Sequence, residues 1–219
     1  FCSSGLTIQS EKGVEEIIPV NNQNFEAGIR KIVLSDKVQY CKIGALCSVE
    51  QVNLLEQTLS SKRELKIVVD PVFTPTKGKA FLTESALPDF LKLMNLVDFI
   101  TPNLPELSFL TGKDTTAFET AIEVGKELSQ KTGVTVLLTG GHGKTNNIQE
   151  AMINKKEVTI FHFPRSKWIY SHGTGCVFST FFTCSLAMGN DPVEAFTEAS
   201  NFVRKLFDAY NAKISPENQ

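Results

Sequence analysis

Histidine, tryptophan and tyrosine are scarce in this chain, with three, one and three copies among 219 residues. The three histidines are scattered without metal-ligand spacing, which argues against a histidine-built zinc centre. The five cysteines, Cys2, Cys41, Cys47, Cys176 and Cys184, contain no C-x-x-C pair. Their odd number and their strand or helix settings suit reduced thiols in a cytoplasmic protein better than a disulfide framework. No apolar run is long enough to span a bilayer and no secretory signal is visible, so no membrane partner is expected. Neither sign of charge dominates, with 22 basic against 24 acidic residues, so nothing favours nucleic acid as a partner. No internal repeat or linker interrupts the chain, and its length suffices for one domain over residues 1–219.

What the chain does have is alternation. Val38–Ile43, Leu65–Val69, Val97–Ile100 and Val134–Leu138 are short runs rich in branched residues. Between them, Asn24–Leu34, Val49–Leu59, Thr83–Leu93 and Thr116–Lys131 carry apolar residues three or four apart, the helical period. This order predicts a mostly parallel sheet covered by helices on both faces. Ala151–Ile153 and Val158–Phe163 read as a hairpin or edge pair, and Gly175–Met188 and Pro192–Tyr210 as two closing helices. Phe1–Gln9 reads as the inside of a strand, so native residues are expected before Phe1.

The informative residues fall where strands end, where open sheets of this kind bind ligands. Asp70-Pro71-Val72 follows a buried strand; its carboxylate suits a cation or a substrate hydroxyl, and equally a turn or helix cap. In Thr101-Pro-Asn-Leu-Pro-Glu106, Asn103 and Glu106 suit a magnesium-phosphate site, and the same spacing suits a capping arrangement. Thr139-Gly140-Gly141-His142-Gly143-Lys144-Thr145 ends like a P-loop, but Leu138 stands where that motif needs its first glycine. A glycine turn near a nucleotide, or a plain strand exit, remains. Gly44 permits close approach of a ligand or simply of packed backbone. Gln9 suits the edge of a heterocycle or a solvated strand end.

Ser171-His172-Gly173-Thr174-Gly175-Cys176 opens a long apolar helix. A glycine turn feeding a helix leaves N–H groups pointing at one spot, and the helix dipole makes that spot positive. Cys176 at such a terminus is expected to have a lowered pKa. An anion cradle holding a potential base suits phosphoryl transfer. A Cys176–His172 nucleophile pair is the competing reading. Cys184 and the Phe178, Phe181 and Phe182 cluster read as core.

Taken together, Gly5-Leu-Thr-Ile-Gln9, Lys42-Ile-Gly44, Asp70-Pro-Val72, Thr101–Glu106, Gly140-Gly-His142 and His172–Cys176 resemble the hydroxymethylpyrimidine/phosphomethylpyrimidine kinases. These belong to the ribokinase-like superfamily and to thiamine biosynthesis. The resemblance covers nearly the whole chain and implies a three-layer α/β/α fold, ATP and Mg²⁺ as cofactors, and a homodimer. The acceptor it implies is an aminopyrimidine alcohol or its phosphate, with a pyridoxal or pyridoxine acceptor and a catalytically weak pyrimidine-binding regulator as alternatives. It gives Cys176 the role of base and the amides of Gly173, Thr174, Gly175 and Cys176 that of an anion hole. Asp70 and Glu106 would organise Mg²⁺, with Asn103, Thr139, Gly140 and Gly141 near the nucleotide. Gln9, Gly44 and Val72 would meet the pyrimidine. Several positions depart from the family pattern. Thr139 replaces a lysine that steadies the transferred phosphate, with Lys77 or Lys144 as conceivable substitutes, and Thr76-Lys77-Gly78 replaces a Lys-Ser-Gly turn. Ala45 replaces a larger residue. The family's first strand and its glycine-rich continuation are not found before Phe1, so the domain is expected to be N-terminally incomplete.

Overall fold

The computed structural model describes residues 1–10, 12–61, 64–75, 77–140 and 147–214. An antiparallel hairpin comes first, β1 (Gly5–Ser10) with β2 (Gly13–Pro19). It forms a two-stranded sheet of its own. The opening strand predicted from sequence therefore exists, but as one arm of a projecting ribbon. Most of β1 is exposed, because no second layer covers it.

The chain then alternates: α1 (Asn22–Val33), β3 (Tyr40–Ile43), α2 (Val49–Leu59), β4 (Lys66–Val69), α3 (Leu87–Leu93), β5 (Phe99–Ile100), α4 (Leu104–Thr111), α5 (Phe118–Thr132) and β6 (Thr135–Leu138). A hairpin of β7 (Asn147–Ile153) and β8 (Val158–Pro164) follows, and α6 (Thr174–Ala187) and α7 (Pro192–Ile214) close the chain. The six-stranded sheet runs in the order β3-β4-β5-β6-β7-β8. Its first four strands are parallel, and β7 and β8 are antiparallel. Short strands with branched residues on both faces are what a doubly covered parallel sheet requires.

Successive strand residues point to opposite faces, and the two cores divide accordingly. Ile43, Ile67, Val69, Val136 and Leu138 join the core beneath α1, α2 and α5. Val68 and Leu137 join a second core with Phe178, Phe182 and Leu186 of α6 and Phe196, Val203 and Phe207 of α7. The result is an α/β/α sandwich. Phe178 and Phe182 are core residues as expected; Phe182 meets Phe99 edge-on at 5.1 Å. Phe181 is only half-buried and stacks on Phe202. Cys184 corrects its core assignment: it lies on the outward face of α6 and is exposed. The segment predicted as a helix over 83–93 is a 3₁₀ turn, Glu84–Ala86, followed by α3, with Pro88 seated in the first turn of α3, where its missing N–H costs nothing.

Candidate active site

The parallel strands deliver their following residues to one end of the sheet. Asp70 leaves β4, with its N–H donating to Ile43 O of the neighbouring strand at 2.8 Å. It is buried, and its Oδ2 accepts from Ser179 Oγ of α6 at 2.9 Å. The Lys42 ammonium lies 3.5 Å from the same oxygen. Sequence reasoning assigned no role to Lys42 or Ser179. Strand alternation could have shown that Lys42 shares the α6 face with Val68, because Ile43 belongs to the opposite core.

At the end of β5 the capping and site readings of Asn103 and Glu106 coincide. Asn103 Oδ1 accepts from Glu106 N at 2.8 Å, and Glu106 Oε2 accepts from Asn103 N at 2.9 Å. This reciprocal box starts α4, with Pro105 in its first turn. Burial pushes the Glu106 carboxyl up to about 7; the Asn103 N–H bond opposes the rise and the Asp70 charge adds to it. The two carboxylates are thus close enough to feel each other's charge, which favours a cation near both.

Thr139 leaves β6 and pairs with Asn103 in a parallel bridge, its N–H donating to Pro102 O at 3.0 Å. Gly140 turns the chain at φ 73°, and a Cβ there would sit 3.3 Å from Asn103 Cβ. Asn103, Thr139 and Gly140 are therefore neighbours. Gly141, and with it the 141–146 segment containing Lys144, lies outside the described residues, as does Thr76.

α6 begins at Gly173, which adopts φ 92°, ψ 0° and caps the helix without any side-chain hydrogen bond. Only glycine takes that conformation at little cost. The first helical bond is Val177 N to Gly173 O at 3.0 Å, and Thr174 N reaches back to Ser171 O at 3.4 Å. The Gly175 and Cys176 N–H groups precede the first helical donor, so they remain for a ligand. A Cβ on Gly173 or Gly175 would meet nothing within 4 Å. Open space thus lies before the turn, as an anion requires.

Cys176 is exposed at this terminus, and its thiol lies within the influence of the Asp70 carboxylate. Loss of hydration pushes the thiol up to about 11, with the Asp70 and Glu106 charges adding and Lys42 opposing. The lowered pKa expected from the helix terminus is therefore corrected: shielding and two carboxylates outweigh the helix end and one lysine. His172 packs edge-on to Tyr170 at 6.2 Å between ring centres. The charges acting on the thiol include those of Asp70, Lys42 and Glu106, an arrangement suited to phosphoryl transfer rather than to a thiol–imidazole pair.

The remaining predicted residues lie on the rim. Val72 is half-buried in the turn after Asp70, and Gly44 and Ala45 are half-buried beyond β3. Gln9 is exposed on the hairpin and pairs with Val14, next to a bulge in β2 at Glu15. The hairpin is anchored at both ends. Gln51 Nε2 donates to Ser4 O at 2.7 Å, Ser4 Oγ donates to Ala45 O at 2.7 Å, and Val14 N donates to Lys77 O at 3.1 Å. Asp70 and Glu106 meet the simplest test for Mg²⁺, which commonly takes one or two carboxylates and fills its other positions with water and phosphate. Among the described residues there is no cluster of three or more metal-ligating side chains.

A family model described as phosphomethylpyrimidine kinase matches residues 1–218. A hydroxymethylpyrimidine/phosphomethylpyrimidine kinase of Aquifex aeolicus is 29% identical over 202 residues, 91% of this chain and 79% of that one. A solved phosphomethylpyrimidine kinase from Clostridium difficile superposes with a TM-score of 0.78 at 25% identity, over 93% of this chain and 84% of the other. The ADP complex of Bacillus subtilis pyridoxal kinase gives a TM-score of 0.79, also at 25% identity, over 90% of this chain and 75% of that one. The ribokinase-like architecture, the glycine turn before Cys176 and these matches agree: the chain belongs to the phosphomethylpyrimidine kinase family.

Proposed function

We propose that this protein transfers the terminal phosphoryl group of ATP to 4-amino-5-hydroxymethyl-2-methylpyrimidine, to its monophosphate, or to both, within thiamine biosynthesis. One observation carries the reading. Cys176, at an uncapped glycine terminus, is within electrostatic reach of Asp70, Glu106 and Lys42, and Lys42 lies 3.5 Å from Asp70. The names and structures of the relatives support it.

In the proposed reaction the substrate oxygen attacks the terminal phosphorus, a new P–O bond forms and the bond to the ADP oxygen breaks. With the alcohol as acceptor, its proton passes to the Cys176 thiolate, the form that a cation beside Asp70 and Glu106 would favour. The Gly175 and Cys176 amides receive the charge on the migrating phosphoryl group, the kind of preorganised stabilisation that dominates such transfers. Asn103, Thr139 and Gly140 border the nucleotide, with Gly141 beside them in sequence, and Gln9, Gly44 and Val72 border the pyrimidine. Mg²⁺ held by Asp70 and Glu106 would draw charge from the phosphates and offset the two carboxylates that hold the thiol up.

The pyridoxal alternative keeps the chemistry and changes the ring. The similarity to Bacillus subtilis pyridoxal kinase and the small Ala45 beside Gly44 favour testing it. Competitive turnover with both alcohols decides: the account expects the pyrimidine to be preferred. Tight pyrimidine binding without any phosphorylation would instead support a regulatory protein.

A further inference from the structure

The resemblance places a steadying lysine where this chain has Thr139, a neutral residue whose N–H and hydroxyl both reach Pro102 O. The charge therefore has to come from elsewhere. Lys77 is exposed, with its carbonyl holding the hairpin. We propose that Lys42 is the catalytic cation of this site, its ammonium meeting the oxygens of the migrating phosphoryl group from the β3 side. The proposal rests on the phosphotransferase reading and deepens it.

Three features support the assignment. Lys42 precedes the last residue of β3 and shares the α6 face, because Ile43 next to it enters the opposite core. Its side chain is 22% exposed and ends 3.5 Å from Asp70 Oδ2, a carboxylate 3% exposed. Burying an ammonium is costly, and an ion pair seldom repays that cost in stability. The separation is also long for an N–H···O bond. Asp70 Oδ2 already accepts from Ser179 Oγ at 2.9 Å. An ammonium has three donors, so the group keeps donors for an incoming oxyanion. Finally, the ammonium ends beside Gly44: a Cβ there would stand at ordinary contact distance, 3.7 Å from Nζ. The nearby thiol registers the charge, since Lys42 acts to lower the Cys176 pKa. Lys42 gains and loses no proton during transfer; it balances charge while the hydroxyl proton goes to Cys176.

The test compares wild type, Lys42→Met, Thr139→Lys and the double variant in steady-state turnover of ATP with the pyrimidine alcohol. Lys42→Met is expected to lower kcat by about 100-fold or more, the scale of removing one charge-stabilising group, with the pyrimidine KM changed by less than about threefold. Thr139→Lys is expected to restore at least about tenfold in the double variant relative to Lys42→Met alone. A Lys42→Met protein with wild-type kcat overturns the proposal, as does a loss that Thr139→Lys does not relieve. If Lys42→Met fails to fold, Lys42→Gln, which keeps a polar end without the charge, takes its place. A Lys42→Gln protein with wild-type kcat overturns the proposal, and a loss of about 100-fold agrees with it. Wild type without any turnover would sink the phosphotransferase reading itself, which separates the two failures.

Discussion

Glu106 caps α4 with one carboxylate oxygen while its burial opposes the charge that makes it a good acceptor. Its carboxyl sits at about 7 against an ordinary 4.5. Between those values the folded protein holds a proton that the unfolded chain releases, so stability falls as pH rises across that window and the cost is complete above it. Glu106→Gln keeps an acceptor for Asn103 N–H and removes the charge. It should therefore raise stability at pH 8 by up to about 3 kcal/mol and flatten the decline between pH 5 and 7, as read by denaturant melts. A variant as pH-sensitive as wild type would contradict this origin. Cys176 gives a second prediction at the same scale. With its thiol near 11, alkylation at this residue in the ligand-free protein should rise about tenfold per pH unit from 7 to 10, followed by site-resolved mass spectrometry. A plateau near neutrality would restore the lowered pKa that the helix terminus suggests. The motif at 171–176 was legible in the sequence because glycine spacing is local. The direction of the thiol's pKa was not, because it depends first on how far packing strips water from the sulfur and then on carboxylates 70 and 106, brought in by two other strands.

Two elements determine how well the site is held. The turn into α6 depends on Gly173 at φ 92°, where a Cβ meets no neighbour but the backbone is strained. Gly173→Ala should cost about 1–2 kcal/mol of stability. It should lower kcat more than it weakens pyrimidine binding, because it displaces the amides that receive charge. The hairpin β1–β2 is the other. Its base rests on the buried Gln51 amide, which donates to Ser4 O and Val20 O and accepts from Cys47 N. Gln51→Leu leaves those groups unpaired. It should raise the pyrimidine KM while leaving the ATP KM within about twofold, since the clamp joins the hairpin to the Gly44–Ala45 side only. Equal rises in both would place the hairpin's role elsewhere. The hairpin's second arm was hidden in the sequence because Gly13–Pro19 mixes charged and branched residues without strict alternation. The parallel strands were plain, because burial on both faces leaves unbroken branched runs.

At the scale of the molecule, the sheet separates a broad core under α1, α2 and α5 from an aromatic one under α6 and α7. The aromatic core fixes α6 against β4 and β5 and so sets the distance from Cys176 to Asp70. Phe182, fully buried against Phe99 and Phe178, should cost about 3–5 kcal/mol when changed to alanine, measured by urea unfolding. The layered architecture and the order of the parallel strands β3 to β6 were readable from β-α alternation. The pairing of Lys42 with Asp70 was not, since it needs the parallel register of β3 on β4 and the close seat of α6. The central claim is that these layers converge on one phosphoryl-transfer basin built around Cys176. Its most direct test is the simultaneous appearance of ADP and phosphorylated pyrimidine from ATP, Mg²⁺ and 4-amino-5-hydroxymethyl-2-methylpyrimidine, compared between wild type and Cys176→Ala. The account predicts stoichiometric formation of both products by wild type and a loss of about 100-fold or more in kcat for the variant, with pyrimidine still bound. Undiminished turnover by Cys176→Ala, or no transfer by wild type, would contradict it.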